Sequence, residues 1–388
     1  MTMLNQVSDV FEQLAAAVDE GEELRRLPER TWKTLVDQGF VRALQPKRWG
    51  GGEVEFVEFL DTCIEISRAN ASAGWVAGVI GVHPWQLALF EERAQEEMWG
   101  TDPSTMHSSS YAPTGSAEKV NGGYRVSGRW SFSSGSDHCK GVNLGAMAPP
   151  VEVAPGLEVP DFRSFLFFPG QYTIEDTWNT SGMRGTGSKD IVVDDVFVPT
   201  YRTQSHLDYI FDRPLPGQVL NNGPLYRLSW ACVFNLALAS SVFGTAKGYL
   251  DLWVTEALPR VQRSGRVPDD PLMQYRLGTA MYDLDAAITK MRRDAHEMWE
   301  AAVAGITMTR EQRTAIRWNA NRGCEIVGKA IADLHHQGSG RTIFMDHPLQ
   351  RSYQDIMGML GHTFLTPDNL GRSVGALRLG SLPSEMMV

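Results

Sequence analysis

The chain has 388 residues, 43% of them hydrophobic, and a formal net charge of -10. This is enough apolar material for a large core spread over two or three closely associated lobes, which excludes a small stapled domain. With a pI near 5.4, no basic stripe is available for a phosphate backbone, and nucleic acid is set aside as a partner.

The first twenty residues mix Gln, Asp and Glu into their apolar positions and carry no continuous apolar run, so no secretory signal is expected. From Val7 to about Met98 apolar residues recur every three or four positions, as in Val10, Leu14 and Val18, which predicts helices. Leu27-Pro28 reads as a helix entry and Gln38-Gly39-Phe40 as an exit. The uncharged stretch Ala69 to Phe90 has the length of a membrane span, yet it holds Asn70, Ser72, His83, Pro84 and Gln86. Trp230 to Ala246 is shorter and holds Asn235. Both are read as helices of a large core, and no membrane is expected.

Beyond Thr101 the texture changes. Tyr111 to Pro199 is dense in Gly, Pro and Ser, with alternating runs at Tyr124 to Trp130, Ser164 to Phe168 and Asp190 to Val198, and a hairpin turn at Asn121-Gly122-Gly123. After a loop from about His206 to Pro224, helical patterns return over roughly Ser229 to Ala257, Pro271 to Ala304, Arg310 to His335 and Pro348 to Leu360. The expected division is a helical domain over 1–105, a β domain over 106–210 and a helical bundle over 211–388.

Cys63, Cys139, Cys232 and Cys324 form no CxxC pair, so neither a disulfide framework nor a metal site is expected, and a cytoplasmic protein with reduced thiols is. GxGxxG, GxSxG, HExxH and Walker patterns are absent, which leaves no visible nicotinamide site and weakens hydrolase and nucleotidase readings. Among nine histidines, His206, His296 and the pair His335-His336 are read as ordinary surface, loop or helix-end residues. His83 stands inside the uncharged stretch, where a polar ring needs a reason to be buried, and His362 follows the last bundle helix.

Six short motifs in order are Trp49-Gly50-Gly51, Gly74-Trp75-Val76, Ser108-Ser109-Ser110-Tyr111, Gly128 to Gly135, Gly182 to Ser188 and Val196-Phe197-Val198-Pro199. Together they resemble the acyl-CoA dehydrogenase superfamily over essentially the whole chain, and within it the flavin-dependent hydroxylases that act on phenols, including those working on seco-steroid phenols and 4-hydroxyphenylacetate. The resemblance implies a mainly α protein with a central β-barrel between an N-terminal helical domain and a C-terminal four-helix bundle. It implies the oxygenase component of a two-component monooxygenase, using reduced FMN (with FAD as the alternative) and O₂ through a C4a-hydroperoxyflavin to hydroxylate a small aromatic substrate ortho to its phenol. An NAD(P)H-dependent flavin reductase is the implied partner, and a homotetramer the implied assembly.

Residue by residue, the resemblance places Trp130 along the flavin ring and Ser134 near its N5, with Ser133 as the alternative. Without it, Trp130 reads first as a β-core residue and the serines as turn formers. It sets Arg184 and Thr186 beside the flavin, and Arg263 and Ser339 near a flavin phosphate, the latter across a subunit boundary; solvated basic loops are the plainer alternative. It makes His362 the base that takes the phenolic proton, with His83 and Ser109 orienting the phenolate oxygen and the choice among Ser108 to Ser110 open. The rivals are an acyl-CoA dehydrogenase, an N- or S-oxygenase of the same fold, and a non-catalytic scaffold. Gly358 to Pro367, where many dehydrogenases carry a catalytic glutamate, contains no carboxylate.

Overall fold

The computed structural model describes residues 2–263 and 265–385. Six helices come first: α1 (Met3–Ala15), α2 (Val18–Leu24), α3 (Glu29–Asp37), α4 (Phe56–Ala69), α5 (Ala71–Leu87) and α6 (Glu92–Trp99). The uncharged stretch is α5, opened by Asn70, whose side chain accepts the Ala73 N–H. It is apolar on every face and buried along almost its whole length, because α4 and a later bundle helix cover it on both sides. Among the described residues no helix is long and apolar enough to cross a membrane.

The middle of the chain forms β1 (Ser108–Val120), β2 (Gly123–Ser133), β3 (Val142–Ala154), β4 (Leu157–Phe167), β5 (Thr173–Glu175), β6 (Lys189–Pro199) and β7 (Thr203–Ser205). They make one mixed sheet in the order β5-β6-β2-β1-β3-β4-β7. β4 and β6, four places apart in that order, approach each other, so the sheet is strongly curled, while β5 and β7 remain its edges. Gly122, at φ +81°, makes the β1–β2 turn. β1 and β3 run parallel with Ser109 opposite Asn143, and the register of β2 against β6 slips between Trp130 and Ser133.

The remaining chain gives α7 (His206–Ile210), α8 (Trp230–Ala257), a two-stranded hairpin of β8 (Val261–Gln262) and β9 (Gly265–Arg266), then α9 (Pro271–Val303), α10 (Arg310–His336), α11 (Pro348–Leu360) and α12 (Asp368–Arg378). α8 is the bundle axis: it packs on α4, α5, α9, α10 and α11. Asp270 caps α9, and Thr309 with Gln312 forms a capping box on α10. One expectation is corrected: the segment from His206 is not loop from its start, since α7 follows β7 directly.

Candidate active site

Three sheet ends converge at the junction of the lobes: the start of β1, the end of β2 and the start of β3. Against them lie α5, α8 and the turn after α11. Ser133 Oγ donates to Ser108 Oγ at 2.9 Å, which ties the two serine tracts together.

His83, on α5, is fully buried. Its Nδ1 is 2.8 Å from the His107 carbonyl, which can only accept, so Nδ1 carries the proton. Nε2, 2.9 Å from Ser109 Oγ, is therefore a lone pair receiving the serine hydroxyl. Burial lowers the His83 pKa to about 4, so the ring is neutral at ordinary pH. Sequence alone left Ser108 to Ser110 open. Ser109 takes the place beside His83, whereas Ser110 Oγ donates to the Ser131 carbonyl.

A second string of hydroxyls runs from Trp75. Its Nε1 donates to Ser134 Oγ at 3.1 Å. Ser134 Oγ is 2.7 Å from Ser188 Oγ, Ser188 Oγ is 2.7 Å from Thr186 Oγ1, and Thr186 Oγ1 donates to the Met183 carbonyl at 2.8 Å. Because a carbonyl ends the string, every hydroxyl proton points toward Met183. Ser134 thus keeps a lone pair beyond the one facing Trp75.

His362 meets the Trp75 ring edge-on, centroids 5.7 Å apart. Its Nδ1 accepts the Phe364 N–H at 3.2 Å, capping the turn after α11. The proton of the neutral ring is then on Nε2, and burial lowers the pKa to about 4. The acceptor nitrogen of His362 is thus engaged by backbone, whereas that of His83 meets a side-chain hydroxyl.

Trp130 is corrected. Its ring lies wholly inside the β core against Gly115 and Gly128, where any Cβ would collide with it, and its Nε1 donates to the Gly145 carbonyl at 2.6 Å. The aromatic surface beside Ser133 and Ser134 comes from Phe132, which the sequence reading missed. The register slip gives Phe132 a φ of +67°, leaves its ring 69% exposed and sets it edge-on to Trp178 at 6.0 Å.

Arg184 Nη1 donates to the Thr180 carbonyl at 3.0 Å and its Nε lies 3.5 Å from Glu22, so this guanidinium braces its own loop. Arg263 is exposed in the β8–β9 turn, and Ser339 caps a turn by accepting the Arg341 N–H. Arg260 Nη2 donates to the Gln337 carbonyl at 3.2 Å, which holds these two segments together. Within one chain no hydrogen bond joins either of them to the serines above, among the described residues.

His206, read from sequence as a loop residue, is fully buried and stacks on Phe162 with centroids 4.1 Å apart. It belongs to an aromatic wall with Tyr111, Tyr209, Trp230 and Phe234 that also faces His83. Nothing in the residues around His206 marks it in sequence. On the far side of Trp230 and Tyr209 is a cavity of about 260 Å³. Among the described residues no group of His, Cys, Asp and Glu could hold a metal ion.

Against known proteins, residues 2–102 match the model of the acyl-CoA dehydrogenase N-terminal domain and residues 236–367 that of the C-terminal domain. The chain is 36% identical to the oxygenase subunit HsaA of a flavin-dependent monooxygenase from Rhodococcus jostii, over 97% of each chain. It is 35% identical to a pigment production hydroxylase from Rhodococcus erythropolis, over 98% of this chain and 97% of that one. The crystal structure of 3-HSA hydroxylase from Rhodococcus sp. RHA1 superposes with a TM-score of 0.93 at 33% identity, covering 100% of this chain and 99% of that one.

Proposed function

Since the chain belongs to the acyl-CoA dehydrogenase family, and within it to the flavin-dependent monooxygenases, we propose that it hydroxylates a phenol ortho to its hydroxyl, giving a catechol. The aromatic substrate is a seco-steroid phenol or a similar ring. It works as the oxygenase component, with reduced flavin made by a separate NAD(P)H-dependent reductase.

The observation that carries this reading is the Ser109–His83 pair, buried and with its proton order fixed by the His107 carbonyl. A phenol at Ser109 donates its O–H to the serine lone pair while the serine proton moves toward His83 Nε2, which leaves the ring electron-rich. The positive charge that appears on His83 is stabilised by the adjoining phenolate, which offsets the burial that keeps the resting ring neutral. The aromatic wall of Tyr111, Trp230 and Phe234 excludes water from this exchange.

The residues present fit a reduced flavin ring. Ser134 has a lone pair suited to the N5–H of that ring, and the exposed, strained Phe132 offers an apolar surface next to it. When bound, the reduced flavin activates O₂ so that one oxygen atom goes to the substrate and the other to water. FMN is the form we favour. Arg25, Arg184 and Lys189 around the 182–189 loop already face Asp176, Glu22 and Asp137, a poor setting for the extra charge of a dinucleotide. Arg263 and Ser339 are assigned to the phosphate of a flavin held with a neighbouring subunit. A homotetramer supplies that neighbour, and the exposed Ile343, Phe344, Met345 and Tyr275 give it apolar contact surface. We assign it to the cytosol, a reading that four unpaired cysteines support.

Mixing the anaerobic protein and reduced FMN with O₂ and a phenol tests the proposal, with catechol and hydrogen peroxide both quantified. Catechol close to stoichiometric with reduced flavin is expected. No catechol, with flavin reduced by an acyl-CoA thioester instead, would hand the chain to the dehydrogenases.

A further inference from the structure

Asn143, one strand over from Ser109, is a second polar group on the substrate side of the sheet. The parallel β1–β3 register pairs the two residues directly, so their side chains leave the same face about 4.8 Å apart. Asn143 is 1% exposed, and neither its Nδ2 nor its Oδ1 has a hydrogen-bond partner. Burying a carboxamide with its bonds unmade costs on the order of several kcal/mol, a cost that a ligand hydrogen-bonded to it offsets.

The neighbours show which ligand atom is wanted. Ser109 has committed its proton to His83, and the Tyr111 hydroxyl donates to Gln86 Oε1. Both therefore face a substrate as acceptors. Burial raises the Tyr111 pKa, eased only partly by Ser109 and Asn143 nearby, so this hydroxyl stays neutral. A phenol oxygen that has released its proton to Ser109 still needs a donor, and Asn143 Nδ2 is the neighbouring group able to give one without adding charge.

Resting on the phenol hydroxylase reading, we propose that Asn143 is a substrate-binding residue whose carboxamide N–H donates to the phenolate oxygen held by Ser109. It selects substrates that bind through an ionisable hydroxyl over anilines, whose nitrogen does not become an anionic acceptor.

The test uses the full-length enzyme with reduced FMN, without oxygen, titrated with 4-nitrophenol, whose ionisation is read from its visible phenolate band. Wild type is expected to bind it with the ionisation midpoint below that of the free phenol. Asn143→Leu, of similar size but apolar, is expected to weaken ionisation of the bound phenol about tenfold or more, one pKa unit. Affinity for reduced FMN and the rate of O₂ consumption should hold within twofold. Asn143→Ala, which removes the donors without adding a charge, carries the same test should leucine destabilise the sheet, and thermal melting checks both. A bound-phenol midpoint unmoved in a folded variant overturns the assignment while wild type still makes catechol. Wild type that binds no phenol and makes no catechol overturns the functional reading and this assignment together.

Discussion

The carboxyl of Asp355 on α11 accepts the backbone N–H of Met183 at 2.6 Å, fixing the loop that carries Thr186 and Ser188 to a helix 172 residues away. Burial, reinforced by Glu22, raises the Asp355 pKa to about 7, with Arg351 and the Met183 N–H pulling the other way. The carboxyl oxygen that accepts from Met183 is part of what holds the Ser134 string in place.

An acid whose folded pKa lies above its ordinary value of 3.8 stabilises the fold most below that value, and the contribution is lost as pH rises through about 7. Asp355→Asn keeps an oxygen for Met183 and removes the titration, so its melting temperature should fall less between pH 5 and 8 than that of wild type. Asp355→Ala leaves the buried N–H unpaired and should cost about 1–3 kcal/mol at pH 5, and less toward pH 8, where wild type alone has lost the titrating contribution, read by denaturant unfolding.

Ser109→Ala and His83→Gln should each lower catechol formation by roughly 10² or more, within the range for general acid–base groups. Reduced flavin should still react with oxygen, so hydrogen peroxide should rise as catechol falls. Because the two act as one unit, the double variant should be little worse than either single one, measured as product formed per reduced flavin consumed.

His362→Asn should retain most of the hydroxylation and the wild-type pH profile, because asparagine can cap the turn at Phe364 as the imidazole does. His362→Ala should lose about 1 kcal/mol of stability with the same pH profile. Loss of one limb of that profile in the asparagine variant would restore His362 as the base.

His83, His206 and His362 have pKa values lowered by burial to about 4, 3 and 4. A lowered histidine contributes stability above its ordinary value of 6.5, lost as pH falls toward the folded value. Unfolding free energy should therefore decline below pH 6.5, together by several kcal/mol on the order set by the linkage relation. His206→Phe, which can keep the stack on Phe162, should flatten that slope in a pH series of denaturant melts.

The sequence by itself determined the order of helical, β and helical segments. Periodicity is local, and the expected starts of the three longest bundle helices near Ser229, Pro271 and Arg310 lie within one residue of α8, α9 and α10. It also marked His83, because a polar side chain in an apolar stretch is visible without coordinates, while the serine tracts and His362 stood out through the family resemblance.

Which nitrogen of the His83 imidazole bears the proton was decided only by a tertiary contact, the carbonyl of His107. The same holds for the exchange of Trp130 for Phe132 beside Ser134: a one-residue slip between β2 and β6 decides which aromatic faces the core, and the alternation of a strand does not reveal a slip. Asn143 was silent in sequence because its partner Ser109 lies 34 positions earlier and meets it only through a parallel strand pairing. The His83–Ser109 proton order and the strand register arise between segments distant in the chain, so no local pattern encodes them.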